Sequence, residues 1–274
     1  MGLTKLIERR VKKVWGRRDL PAPFGAVAGD RVGEIWFEHP ERGDLPLLVK
    51  YLFTSEKLSV QVHPDDEAAR AAGHERGKDE AWLVLEAEPG ATIGLGLKHE
   101  IGKAKLRAAA LDGSIEQLLD WRPASAGDFH YSPAGTIHAI GPGVSLIEIQ
   151  QNVDLTYRLY DYGRPRELHV DLAIEAAEPG PYRAPTEPVV VGEDQEILAT
   201  GGAFALERWR GPKTGTVDCG GDPFWLIMVT GSATADGKHI EPGTVWLADA
   251  PCSLSLLEGG ELLLASPGRV APSV

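Results

Sequence analysis

Between Lys57 and Trp82 the spacing of apolar and polar side chains changes twice. Leu58, Val60 and Val62 alternate with Ser59, Gln61 and His63, the period-two pattern of a strand that buries one face and aims the other elsewhere. Pro64 ends it. Asp65 to Gly73, rich in Ala, Asp and Glu, predicts a short helix, and Glu80-Ala-Trp-Leu-Val-Leu predicts a second strand after a polar, Gly-containing loop. Upstream, Leu3, Leu6 or Ile7, Val11 and Val14 recur at helical spacing with Lys and Arg between them. That predicts a basic amphipathic helix docked on the body of the protein. Val32 to Glu38 reads as a first strand, and Leu45 to Phe53 as a strongly apolar one interrupted by Lys50, a lysine that either snorkels at the edge or enters a pocket.

Downstream, Trp82 to Glu88 and Ala91 to Leu97 read as a hairpin around Pro89-Gly90. Residues 98–121 change character, with Ile101, Leu106, Ala109, Leu111, Ile115, Leu118 and Leu119 at helical spacings broken near Gly113, so a helical insertion is predicted. Asp128 to Gln151 returns to β-structure. Glu178 to Pro188 is Pro-rich and reads as a linker, after which five or six short strands, with the single histidine His239, form a small β-roll. The chain is thus expected to be mainly β, with a first unit over 1–180 and a second, smaller roll over 181–274 whose single histidine makes no metal constellation.

Composition narrows the partners. The chain has 274 residues, enough for one large or two smaller cores, and its 32 Gly and 20 Pro suit many turns between short strands. A formal charge of -12 argues against nucleic acid or an acidic membrane, though a small anion needs only a local cluster of cations. Cys219 and Cys252 are too few for a disulfide framework, which points to the cytoplasm. No apolar run approaches the roughly 20 residues of a membrane helix. The N-terminus lacks the apolar core of a secretory signal, and Leu6 stands where myristoylation needs Ser or Thr. A monomer is expected.

The chemistry gathers on a few polar positions. Gln61 and His63 share a strand face, Glu80 opens the next strand, and His138 sits with Thr136 and Ile140 on a short strand between two turns. Alone, His138 reads more simply as a satisfied core histidine. Together, two imidazoles, a carboxylate and an amide suit Zn²⁺ or another borderline divalent metal. Asp154 and Arg158, spaced i, i+4, read alone as a surface ion pair, and Glu148 as a strand glutamate facing water.

Leu58-Ser-Val-Gln-Val-His-Pro, Gly77-Lys-Asp-Glu-Ala-Trp, Pro133-Ala-Gly-Thr-Ile-His-Ala-Ile-Gly and Asp154-Leu-Thr-Tyr-Arg-Leu-Tyr-Asp-Tyr together resemble class I mannose-6-phosphate isomerase in its short bacterial form. The resemblance spans about residues 15–175, and the C-terminal roll in outline. It implies a cupin-type jelly roll with a helical insertion and a second, smaller β-roll. It also implies one zinc held by Gln61, His63, Glu80 and His138, and a sugar phosphate as the small-molecule partner. Lys50, Lys78, Glu148, Asp154 and Arg158 then fall in the catalytic cavity. Ser59, Arg164 and again Lys50 fall near the substrate phosphate. Gly77 replaces a histidine that longer members carry before the lysine and that has been considered for opening the sugar ring. His74 or a water is left as the substitute.

The implied reaction interconverts mannose 6-phosphate and fructose 6-phosphate. It moves a proton between neighbouring carbons through a cis-enediol, and Lys50 or Glu148 is the candidate base. Arg158 could stabilise the enediolate. The other readings are a non-catalytic sugar-phosphate-binding cupin regulator and an Fe²⁺ cupin dioxygenase. Gln61 speaks against the dioxygenase.

Overall fold

The computed structural model describes residues 2–27, 29–185, 187–200 and 202–267. Twelve strands precede the linker: β1 (Leu3–Lys5), β2 (Ile7–Arg17), β3 (Val32–Glu38), β4 (Leu47–Phe53), β5 (Val60–Val62), β6 (Glu80–Ala87), β7 (Thr92–Leu97), β8 (Leu119–Pro123), β9 (Phe129–Ser132), β10 (His138–Ile140), β11 (Val144–Gln151) and β12 (Tyr157–Tyr160). Helices α1 (Asp66–Ala71), α2 (Lys103–Asp112), α3 (Ile115–Leu118) and α4 (Val170–Ala176) are short. Among the described residues no helix is long and apolar enough to cross a membrane.

Two antiparallel sheets face each other in the first half, one ordered β2-β3-β4-β11-β6-β9 and the other β12-β5-β10-β7-β8. The first is buried on both faces. From β4 and β11, Val49, Tyr51, Phe53, Ile147 and Ile149 join a core shared with Leu206, Trp225, Ile227 and Leu263 of the C-terminal half. The alternate positions Lys50, Leu52, Leu146 and Glu148 turn the other way, toward the facing sheet. All seven residues of β4 and all eight of β11 are buried for this reason. Lys50 is therefore not an edge lysine. It stands inside a sandwich.

The C-terminal half is a second sandwich. Its seven-stranded sheet includes Phe204–Arg210, Phe224–Thr230 and Glu261–Pro267, and a four-stranded sheet built on Cys252–Leu256 closes its far side. The stack of four sheets is the mainly β, cupin-type architecture expected, with ten strands among the described residues of the C-terminal half rather than five or six.

Three local expectations are corrected. The N-terminal segment is not a helix. β1 pairs with Val245–Ala248 of the C-terminal sheet, and β2 pairs with β3 at the edge of the central sheet. In β2 the inward set is Val11, Lys13, Trp15 and Arg17, a period of two hidden by its cations. β6 and β7 are not a hairpin either, since β6 pairs with β11 and β9 while β7 pairs with β10 and β8 in the facing sheet. Pro89-Gly90 turns the chain from one sheet to the other. The helical insertion stops at Leu118, because Leu119 already opens β8, which pairs with β7. The Pro-rich segment lies along the first sandwich, with a bridge from Pro181 to Gly96 and a hydrogen bond from the Tyr182 hydroxyl to the Tyr131 carbonyl (2.7 Å).

Candidate metal centre and cavity

Three strands bring four polar groups to one point. In the register of the second sheet His138 of β10 stands beside Gln61 of β5, and Arg158 of β12 stands on Gln61's other side. Glu80, first residue of β6, comes across from the facing sheet. One ligand atom each from His63, Glu80 and His138 lies within 4.8 Å of the others, and all three residues are buried. His63 Nε2 is 3.3 Å from Glu80 Oε1, and His138 Nε2 is 3.5 Å from Glu80 Oε2.

The hydrogen bonds behind the rings fix what faces the centre. His63 Nδ1 lies 2.8 Å from the Leu155 carbonyl and His138 Nδ1 2.9 Å from the Thr136 carbonyl. Each Nδ1 therefore carries the proton, and each Nε2 presents a lone pair to the carboxylate. His63 Nε2 and both Glu80 oxygens are buried without a hydrogen-bond partner. Acceptors facing acceptors in a dry interior are costly unless a cation lies between them. The donor set fits a divalent metal.

Electrostatics agree. Burial, with Lys78 nearby, pushes the His63 imidazole down to about 4, and burial lowers His138 against the pull of Glu80. Burial opposes ionisation of Glu80, but Lys78 and His63 outweigh it and hold the carboxyl well below the usual range. Near neutral pH the set is two neutral imidazoles and a carboxylate, the protonation state that ligates. Lys78 Nζ lies 2.7 Å from Glu80 Oε1 as an ion pair without the alignment of a hydrogen bond.

Gln61 supplies the fourth group. Its Nε2 faces His138 Nε2 at 3.1 Å, and its Oε1 accepts from the Ser59 hydroxyl at 3.1 Å. The two ends of a carboxamide are assigned from their partners. A half-turn presents Oε1 to the centre and Nε2 to Ser59, whose hydroxyl accepts as readily as it donates. Ser59 is thus the residue that holds Gln61 in either sense.

The centre opens into a narrow cavity between the two sheets. At its inner end are Lys50, Lys78, Glu80 and Glu148, each at most 5% exposed. Lys50 Nζ donates to Gln150 Oε1, lies 3.2 Å from Glu148 Oε1 and sits 4.5 Å from the Trp36 ring centroid. Glu148 Oε2 accepts from Trp82 Nε1 at 3.0 Å. Burial, with Glu80 adding to it, raises the Glu148 carboxyl. At the mouth are Asp154, Thr156, Arg158 and Arg166.

Of the sequence-named residues, Lys50, Ser59, Gln61, Lys78, Glu80, Glu148, Asp154 and Arg158 line this cavity, with His63 and His138 completing the centre at its inner end. Asp154 and Arg158 form no ion pair. Arg164 does not line the cavity: it donates to the Lys57 carbonyl (2.7 Å), pairs with Asp161 (2.9 Å) and lies over Tyr162. His74 is exposed, away from the cavity. A side chain at Gly77 would meet the Asp65 carbonyl carbon at 2.4 Å, so the loop as folded admits no histidine there.

Sequence reading missed Lys13, Glu34, Trp36 and Arg166, which line the same cavity. Glu34 accepts from Trp36 Nε1 at 2.7 Å and pairs with Lys13 at 3.2 Å. The alternation of Glu34 and Trp36 against Ile35 and Phe37 was the available signal.

Fold and centre together define a two-roll cupin protein with a buried His63, Glu80 and His138 group that could hold a metal. No family model matches the chain. It is similar to mannose-6-phosphate isomerases: that of Streptococcus mutans serotype c is 38% identical over 201 residues, 68% of this chain and 63% of that protein. Mannose-6-phosphate isomerase ManA of Bacillus subtilis is 40% identical over 167 residues, 56% of this chain and 53% of that protein. The chain thus matches less than two thirds of the length of these curated relatives. The crystal structure of a mannose 6-phosphate isomerase from Bacillus subtilis superposes with TM-score 0.83 and 25% identity, covering 97% of this chain and 99% of that one. A mutant of phosphomannose isomerase from Salmonella typhimurium shares the fold at TM-score 0.74 and 15% identity, covering 97% of this chain and 100% of that one.

Proposed function

We propose that this chain is an aldose-ketose isomerase that interconverts mannose 6-phosphate and fructose 6-phosphate and uses Zn²⁺. The observation that carries the reading is the set of acceptors on His63 and Glu80 that lack a hydrogen-bond donor among the described residues, opening into the cavity that holds the Lys50–Glu148 pair. The names of the relatives point to the same sugar phosphates. His63, Glu80, His138 and a turned Gln61 would hold the ion. The chemistry it supplies when bound is positive charge for sugar oxygens that become anionic during reaction.

The chain's own groups do the proton work. Interconversion removes the proton from C2 of the aldose and returns it to C1, while a proton moves between O1 and O2, through a cis-enediol. Glu148 is the base we favour: its raised carboxyl lies closer to the pH at which it can both take and return a proton. Lys50 and the Trp82 indole hold its two oxygens in place. Burial works against the Lys78 ammonium, but Glu80 and Glu148 outweigh it and raise it, so Lys78 is a lasting cation beside the reacting oxygens. One chain supplies every group, which suits a monomer, and the free cysteines Cys219 and Cys252 suit a reducing cytoplasm.

The test is a coupled assay of mannose 6-phosphate turnover on untreated, chelator-treated and zinc-restored protein. Turnover lost and then regained is the expected result. Folded, zinc-loaded protein with no turnover rules out the substrate.

A further inference from the structure

Between Lys78 and Glu80, which line the cavity, stands Asp79, which does not. Glu80 puts its side chain into the centre, and Asp79, one residue earlier, turns the other way. Its carboxylate takes two hydrogen bonds. Oδ1 accepts from the Ala134 backbone N–H at 2.8 Å, and Oδ2 accepts from the Tyr131 hydroxyl at 2.7 Å. The main chain of Asp79 is fixed as well: its N–H donates to Gln151 Oε1 at 2.9 Å, and its carbonyl accepts from the Gln151 N–H at 3.1 Å. With both ends of the residue held, the position of Glu80 follows from Asp79.

The Ala134 bond lands on a turn that the whole centre shares. The next N–H, of Gly135, donates to the His63 carbonyl at 2.9 Å, and the Thr136 carbonyl holds His138 Nδ1 at 2.9 Å. The turn therefore meets the backbone of one candidate ligand, the ring of a second and, through Asp79, the residue before the third. From the other side, Tyr131 reaches the C-terminal half. Its hydroxyl accepts from the Ala203 N–H at 3.2 Å while donating to Asp79, and its ring lies 5.2 Å from that of Phe204. A Cβ on Gly202 would come within 2.2 Å of the same hydroxyl, so the chain there fits against Tyr131 with no space for a methyl group.

We propose that Asp79 is a positioning residue for the metal centre, tied through Tyr131 to the C-terminal sandwich, so that the seating of that sandwich sets how tightly the centre holds a divalent ion. This rests on the metal-binding part of the proposed function. Asp79 touches neither ion nor substrate. It acts by fixing Glu80 and the turn before His138 relative to each other, and groups behind metal ligands govern affinity through such orientation. The second sandwich, which holds none of the candidate ligands, thereby gains a part in the site.

The test measures Zn²⁺ affinity by competition with a chromophoric chelator, and the visible absorption of the Co²⁺-loaded protein, for wild type, Asp79→Ala, Tyr131→Phe and Gly202→Ala. Losing the support behind the ligands should weaken Zn²⁺ binding about tenfold to hundredfold in Asp79→Ala and change the Co²⁺ spectrum. Tyr131→Phe, which removes one oxygen and leaves the Ala134 bond, should do the same more weakly. Gly202→Ala, a change made wholly in the second sandwich, should follow Tyr131→Phe. The thermal midpoint of each metal-free variant checks folding, and Tyr131→Phe decides if Asp79→Ala does not fold. Folded variants with lowered midpoints but wild-type affinity and spectrum overturn the proposal, since Asp79 is then structural only. Effects in Asp79→Ala and Tyr131→Phe with none in Gly202→Ala overturn the tie to the C-terminal sandwich. Wild type that binds neither ion overturns the metal reading itself, and the positioning role with it.

Discussion

At the scale of single residues, His63 ties the centre to pH. Its folded value of about 4 lies below the ordinary 6.5 because burial and Lys78 disfavour the imidazolium. The unfolded chain therefore takes up the proton first as pH falls. The stabilising contribution is whole above pH 6.5 and disappears as pH drops through 4, and it amounts to on the order of 3 kcal/mol. Glu80, also lowered, acts in the same direction. Chelator-treated protein should lose urea resistance steeply between pH 6.5 and 4, and His63→Gln should flatten that slope; parallel profiles for the two proteins would refute the assignment. His63, Glu80 and His138, which the fold gathers, and Gln61 beside them could be singled out in the sequence because each stands in a short motif with turn residues or an alternating strand around it. Arg166 was not, since its place depends on the turn after β12 folding back through Asp161, a contact no local pattern encodes.

At the scale of elements, the misread N-terminus shows how a period is lost. Leu3, Leu6, Val11 and Val14 fit a helical stripe, yet Val14 is exposed and Lys13 and Trp15 point inward. An inward lysine that meets Glu34 breaks hydrophobic alternation without breaking the strand. β11 was legible for the opposite reason, being apolar on one face and interrupted by Glu148 on the other. β1 has a structural task that a docked helix would not have: Leu3 is 7% exposed and packs into the core between the two C-terminal sheets. Its strand covers the edge of Val245–Ala248. Leu3→Ala should cost about 2 kcal/mol, the lower end for a buried leucine because the site lies at a sheet edge. Hydrogen exchange should show faster opening at Val245–Ala248. A variant as stable as wild type, with unchanged exchange there, would show that β1 is not structural.

At the scale of the whole molecule, the Pro-rich segment suggests two separable domains, and the packing joins them. The largest shared cluster takes Val49, Tyr51, Phe53, Ile147 and Ile149 from the first half and Leu206, Trp225, Ile227 and Leu263 from the second. Those partners are far apart in sequence, so the composition of either half reads as a complete domain. Separating the halves would strip both faces of that core at once, at about 25 cal/mol for each Å² of apolar surface exposed. β4 and β11 carry that core on one face and Lys50 and Glu148 on the other, so loosening it also disturbs the cavity. A chain of this size with separate domains ordinarily unfolds in steps. Here the shared core should give one calorimetric transition, with the calorimetric and van't Hoff enthalpies equal. Zinc added to metal-free protein should raise that single midpoint, because an ion bound only by the folded form stabilises everything that unfolds with its site. A C-terminal transition that stays at its own temperature while zinc moves the first would show that the two sandwiches are energetically independent, and that the core between them is a contact surface only.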